Sequence, residues 1–209
     1  MSGPCDECVR RSWLIGRLAG HLEVRRAERA AIRGVLALSD AMLIGELGGS
    51  RAEAIGAEWE GVDPAQLRDR WTGHGHHAVC RCQDAYPAAL CELPDPPAVL
   101  HLLGGAEAGA AALTAGAGAC VSIVGARRAS TEGTAIAREL GRGCAAAGLT
   151  VISGMALGID AAAHDGALDA CATTVAVLAC GPERSAASTT TVIPDSAAMI
   201  RFRAGNAQR

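Results

Sequence analysis

The chain has 209 residues, half of them apolar and only 2% aromatic, with a formal net charge of −3. That length and composition allow one or two domains with a buried core and exclude a disordered chain. So small a net charge sets up no global field toward nucleic acid, so any nucleic-acid contact has to be local. All 19 basic residues are arginine, and each basic contact is therefore a planar, bidentate-capable guanidinium. The nine cysteines are odd in number and keep no framework spacing. With no secretory leader, and no apolar run long and uncharged enough to span a bilayer, a reduced cytoplasm is expected.

Residues 1–70 read as a small helical domain. Leu14, Ile15, Leu18 and Leu22 recur at helical spacing. The alternating charges from Glu23 to Arg29 read as a solvated helix face. Ser39-Asp40 is an N-cap signal for a helix through Leu47 that Gly48-Gly49 stops, and Asp63-Pro64 opens a short helix through Leu67. Residues 71–107 form a connecting segment in which Pro87, Pro94, Pro96 and Pro97 prevent long helices. Within it, Val99 to Leu103 is a strand candidate. Residues 106–119 are Ala- and Gly-rich, a weak helix or a linker.

From residue 108 to 181 the pattern is α/β. A strand over Val121–Val124 enters the turn Gly125-Ala126-Arg127-Arg128-Ala129-Ser130. A helix follows over about 131–147 with Ile136, Leu140 and Cys144 on one face, and Gly148 caps it. A second strand, Thr150–Ser153, enters the turn Gly154-Met155-Ala156-Leu157-Gly158-Ile159-Asp160. A second helix covers 159–169 and a third apolar run covers Thr174–Cys180. Strands alternating with helices of this length imply a partial Rossmann-like parallel sheet with helices on its faces, whose ligands bind outside the carboxyl ends of the strands. Residues 182–209 show no convincing period and are expected to be a disordered tail. Cys120, Cys144, Cys171 and Cys180 lie in apolar contexts and are expected to be small core residues.

Both glycine turns fall at the ligand edge. Gly125 and Gly154 let the backbone turn sharply, and helix N-termini beyond them offer N–H groups to a phosphate. Arg127 and Arg128 add charge and paired donors, and Ser130 and Ser153 add hydroxyls. Gly158 shapes the second turn. Asp160 is placed either to cap the second helix or to orient an arginine. A nicotinamide cofactor is not expected: the first turn lacks Gly-x-Gly-x-x-Gly, and no acidic residue closes the second strand. A P-loop is excluded, since the chain has no lysine. No cofactor of any kind is expected.

These motifs resemble the DNA-processing protein A family (DprA, also called Smf). The residues that carry the likeness are Gly125-Ala126-Arg127-Arg128-Ala129-Ser130-Thr131-Glu132-Gly133, the long run from Ser153 to Leu168, and Thr174-Val175-Ala176-Val177-Leu178-Ala179-Cys180-Gly181. Tyr86 to Leu90 and Leu93 to Pro97 resemble the segment before the family's sheet, so the resemblance covers roughly residues 80–181. It implies a single-stranded DNA-binding protein of natural transformation and recombination, not an enzyme, with RecA recombinase as partner and no catalytic residue. It makes Arg127 the leading phosphate contact, with Gly154 and Gly158 in the second turn and Arg128 behind them. Glu132 departs from the family's usual Tyr and places an anion beside the site. The family's further strands and dimer contacts are not recognisable beyond Gly181, so a frameshifted or truncated product is expected, with a homodimer only if the missing part were present. The alternative is a nucleotide-phosphate-binding enzyme of the lysine-decarboxylase-like Rossmann type, which needs a Pro-Gly-Gly-x-Gly-Thr turn that this chain lacks.

Two signals stand apart. Cys5-x-x-Cys8 invites a zinc reading that His74, His76 and His77 could complete. With Cys80 and Cys82 only one residue apart, no second pair stands at ribbon spacing, and these residues are read as incidental, with no metal. His164 is expected to pack or hydrogen-bond within its helix.

Overall fold

The computed structural model describes residues 3–22, 37–73, 77–93, 95–103, 114, 118–178 and 197–201. The described residues up to 73 and from 78 to 100 form one compact unit; His77 and those from 101 to 201 form a second. The charge series Glu23 to Arg29 lies outside the described residues, as do His74, His76 and Cys180.

The first unit is mainly helical. Helix α1 (Asp6–Arg17) carries Asp6 and Glu7 in its first turn and Arg17 in its last, matching the helix dipole at both ends. Helix α2 (Asp40–Gly48) starts where expected: the Ser39 hydroxyl accepts the Met42 N–H at 3.4 Å. A single 3₁₀ turn at Gly49–Arg51 leads into α3 (Ala52–Glu60), and α4 (Pro64–Gly73) follows. Asp63 caps α4 by accepting the Ala65 N–H at 2.9 Å, while Pro64 takes the first helical position. Leu14, Leu18 and Leu22 pack with Leu43, Leu47 and Ile55 to form the core. Arg17 holds Glu58 through two hydrogen bonds of 2.6 and 2.9 Å. Strand β1 (His77–Cys80), the one-turn helix α5 (Ala88–Cys91) and β2 (Val99–Leu103) come next in the chain. The Tyr86 hydroxyl donates to the Pro97 carbonyl at 2.8 Å, tying the proline-rich loop down.

The second unit is a Rossmann-like layer of parallel strands with helices. Its elements are β3 (Cys120–Ser122), α6 (Thr131–Ala146), β4 (Thr150–Ser153), α7 (Ile159–Asp169), β5 (Thr174–Leu178) and β6 (Ala197–Arg201). Within this unit the strand order is β6-β5-β4-β3, with residues 101–103 of β2 beside β6. β3 pairs with β4, β4 with β5 and β5 with β6 in parallel, placing Val121 beside Val151 and Ile152 beside Val175. β2 runs antiparallel to β6.

Three expectations are corrected here. The tail after Gly181 was expected to lack structure, yet β6 lies within it. Its Ala-Ala-Met-Ile run supplies ladder partners to β5 on one side and β2 on the other. Helix α6 does present Ile136 and Leu140 on one face, but that face is open to solvent, at 60% and 54% exposure. The buried face is Ala137, Gly141 and Ala145. Small residues win because α6 and α7 approach backbone to backbone: a Cβ at Gly141 would lie 2.2 Å from the Ala163 carbonyl oxygen, and one at Gly166 would lie 1.9 Å from that of Arg138. Finally, Cys120 and Cys171 are exposed and Cys144 is only partly buried. Cys120 opens an edge strand, and Cys171 occupies a turn at φ 53° just past α7.

Candidate nucleic-acid interface at two glycine turns

β3 and β4 deliver both glycine turns to the same edge, and one side chain locks them together. Asp160, in the first turn of α7, accepts the Gly125 N–H through Oδ1 and the Gly154 N–H through Oδ2, each at 3.1 Å. Its carboxylate is buried, and each oxygen takes one otherwise orphaned backbone donor. Asp160 thus neither caps α7 nor orients an arginine.

The turns also interlock sterically. A Cβ at Gly125 would lie 2.8 Å from the Ile159 side chain, and one at Gly158 only 2.4 Å from the Ala126 carbonyl oxygen. Gly158 sits at φ 86°, where a side chain is strained in any case. The Ile159 N–H donates to the Ala126 carbonyl at 3.3 Å. The N-terminus of α7 is therefore packed against the first turn. Met155 holds φ 58° within the second turn, a left-handed conformation that costs about 1–2 kcal/mol for a non-glycine residue.

This geometry redistributes the expected site residues. The N–H groups of Gly125 and Gly154 are occupied, so both glycines build the turns rather than present donors. Ser153 is buried and donates to the Ile123 carbonyl at 2.6 Å. Ser130 caps α6 by accepting the Gly133 N–H at 3.1 Å. Arg127 and Arg128 are both exposed, neither ion-paired with a described residue, beside the start of α6. Val124 and Leu157, each one residue ahead of a turn glycine, are exposed as well, at 69% and 61%. Glu132 occupies the first turn of α6; hydrogen bonds from its own backbone and from Ser130 hold its carboxyl below the usual range.

His164 is turned inward. Its Nδ1 lies 2.8 Å from the Thr174 hydroxyl, which donates in turn to the Val151 carbonyl at 2.8 Å. The hydroxyl's proton is committed, so Nδ1–H is the donor. Burial pushes its pKa below the ordinary 6.5, against the pull of Asp160 and Asp165.

Among the described residues, one group has the composition of a metal site: Cys5, Cys8, Cys80 and Cys82. Sequence reading paired Cys5 and Cys8 with histidines, of which His77 is described and stands outside this group. The missed partners were Cys80 and Cys82, whose Cys-x-Cys spacing looked wrong for a zinc knuckle.

With this geometry in view, comparison with known proteins identifies the lineage. A family model described as DNA recombination-mediator protein A matches residues 77–197, more than half the chain. The chain belongs to that family. The match runs past Gly181 and reaches the first residue of β6. Among curated relatives of the recombination-mediator family, the chain is 30% identical over 168 residues to Protein Smf of Synechocystis sp., covering 80% of this chain and 40% of that protein. It is 45% identical over 85 residues to the putative DNA processing protein DprA of Mycobacterium tuberculosis, covering 41% of this chain and 21% of that one. The chain thus spans well under half the length of either relative. The crystal structure of DNA processing protein A from Streptococcus pneumoniae matches with a TM-score of 0.60 at 20% identity, over 96% of this chain and 68% of that one, which shows a shared fold. No helix among the described residues is long and apolar enough to cross a membrane.

Proposed function

We propose that the two-turn edge binds the sugar–phosphate backbone of single-stranded DNA, with Arg127 as the principal phosphate contact and Arg128 as its neighbour. The single observation that carries this reading is a pair of exposed guanidiniums, unpaired with any described residue, on turns that Asp160 holds rigid. Rigid turns fix where the arginine side chains begin, and a guanidinium matches phosphate oxygens bidentately. Val124 and Leu157 favour a single strand over a duplex, because only unpaired bases offer their faces to apolar side chains. Family membership supports a role in DNA processing during transformation and recombination. On this reading the cytoplasmic partners are single-stranded DNA and RecA recombinase, with a homodimer only where the rest of the domain is present. Binding without turnover fits His164, the one histidine within the long motif, which is buried and engaged by Thr174. A nucleotide-phosphate enzyme is disfavoured, since the N–H groups its turns would present are held by Asp160.

The test is fluorescence anisotropy of labelled oligonucleotides at two salt concentrations. Arg127→Ala is expected to weaken single-strand binding about tenfold, the loss of one charge-assisted contact. It should also reduce the magnitude of the salt slope by about 0.7. Unchanged affinity and slope would remove Arg127 from the interface. Equal competition by duplex would overturn the single-strand assignment.

A further inference from the structure

The four cysteines Cys5, Cys8, Cys80 and Cys82 converge within the helical unit, far along the chain from the glycine turns. Cys5 is the N-cap residue of α1 and Cys8 lies in its first turn. Cys80 ends β1, and Cys82 follows in the next turn. All four sulfurs lie within 4.8 Å of one another. Cys8 Sγ and Cys82 Sγ are 3.6 Å apart, and Cys80 Sγ and Cys5 Sγ 3.9 Å. A zinc ion with thiolates at about 2.3 Å in a tetrahedron requires sulfur–sulfur edges of about 3.8 Å. A disulfide requires about 2.05 Å, so these are not bonded pairs. An iron–sulfur cluster distributes its thiolates over several irons and spreads them wider than around one ion.

The surroundings suit a thiolate site. Two ligands sit at the N-terminus of α1, where the helix dipole stabilises negative charge. The Cys5 N–H points at Cys80 Sγ at 3.5 Å. The Cys80 N–H donates to Gln83 Oε1 at 2.8 Å, and Arg68 clamps the segment before α1 by donating to the Pro4 carbonyl at 2.8 Å. Cys8 and Cys80 are buried against Ala78, Ala98 and Val99, while Cys5 and Cys82 face outward. Four thiols sharing so small a space cannot all ionise unless a cation joins them.

We propose that Cys5, Cys8, Cys80 and Cys82 form a structural tetrathiolate zinc site that fastens the start of α1 to the end of β1. Binding replaces the thiol protons, which pass to solvent, and closes a loop of more than 70 residues. All four coordination positions are filled by protein, so the ion holds structure and has no open position for substrate.

The experiment uses the 209-residue chain purified under reducing conditions. Metal content by plasma mass spectrometry should give one zinc per chain. Cobalt exchange should give the thiolate-to-cobalt charge-transfer bands and intense visible bands of a tetrahedral site, bleached by added zinc. Cys8→Ser and Cys80→Ser should each drop zinc content to near zero, whereas Cys91→Ser and Cys171→Ser should retain it. The wild-type stoichiometry and cobalt spectrum decide the matter even if a ligand variant misfolds. Zinc well below one per chain with no cobalt spectrum, iron in place of zinc, or thiol counts showing two disulfides would each overturn the proposal.

Discussion

Asp160 offers the sharpest test of how the two turns are built. Removing its carboxylate by Asp160→Ala breaks two part-buried hydrogen bonds, from the Gly125 and Gly154 N–H groups, each now 3.1 Å from a carboxylate oxygen. Both glycines reach solvent, so water replaces part of each bond and the pair is expected to cost about 1–2 kcal/mol. Asp160→Asn keeps the shape but presents an NH₂ to one of the two donors, so about half that loss is expected. Urea unfolding followed by circular dichroism measures the change. Amide exchange at Gly125 and Gly154 locates it and should accelerate in both variants. A loss below 0.5 kcal/mol for the alanine variant, within the ordinary surface range, would refute the bridging role. So would an asparagine variant as stable as wild type.

Other consequences follow from neighbouring geometry. Gly166→Ala places a Cβ 1.9 Å from the Arg138 carbonyl oxygen; overpacking of this kind costs about 1–3 kcal/mol and should lower the thermal midpoint by several degrees. Glu132→Gln removes an anion from the start of α6 beside the arginines, and single-strand affinity should rise about two- to fivefold in the anisotropy assay. His164 makes stability depend on pH. Its folded pKa lies below its ordinary 6.5, so its contribution is complete above that value. It is lost as pH falls toward the folded pKa, because the unfolded chain then takes up a proton that the native state refuses. Thermal melts across that window should show the loss, and His164→Asn should flatten it.

The parts that were legible have local signals. Ser39 and Asp63 cap helices of the first unit through bonds spanning two or three residues, and glycines mark the turns after β3 and β4. What could not be read depends on contacts between distant parts of the chain. Ile136 and Leu140 looked like the packing face of α6 because apolar periodicity does not distinguish a buried stripe from an open one. The choice fell to Gly141 and Gly166, which let two backbones touch. Asp160 reaches Gly125 across 35 positions, and its partners are backbone groups that carry no side-chain signature. Cys5 and Cys80 are 75 positions apart, and Cys-x-Cys is uninformative until a strand end points it at a helix start. β6 was missed because a five-residue strand between two others needs little amphipathic pattern.

The glycine-mediated approach of α6 and α7 bears on affinity as well as packing. Each helix starts at one of the two turns, and their separation is fixed by main chain against main chain, with no rotamer left to adjust it. The arginine-bearing edge therefore arrives at its ligand already shaped, and little conformational freedom remains to be lost on association. Only the guanidinium side chains have to order.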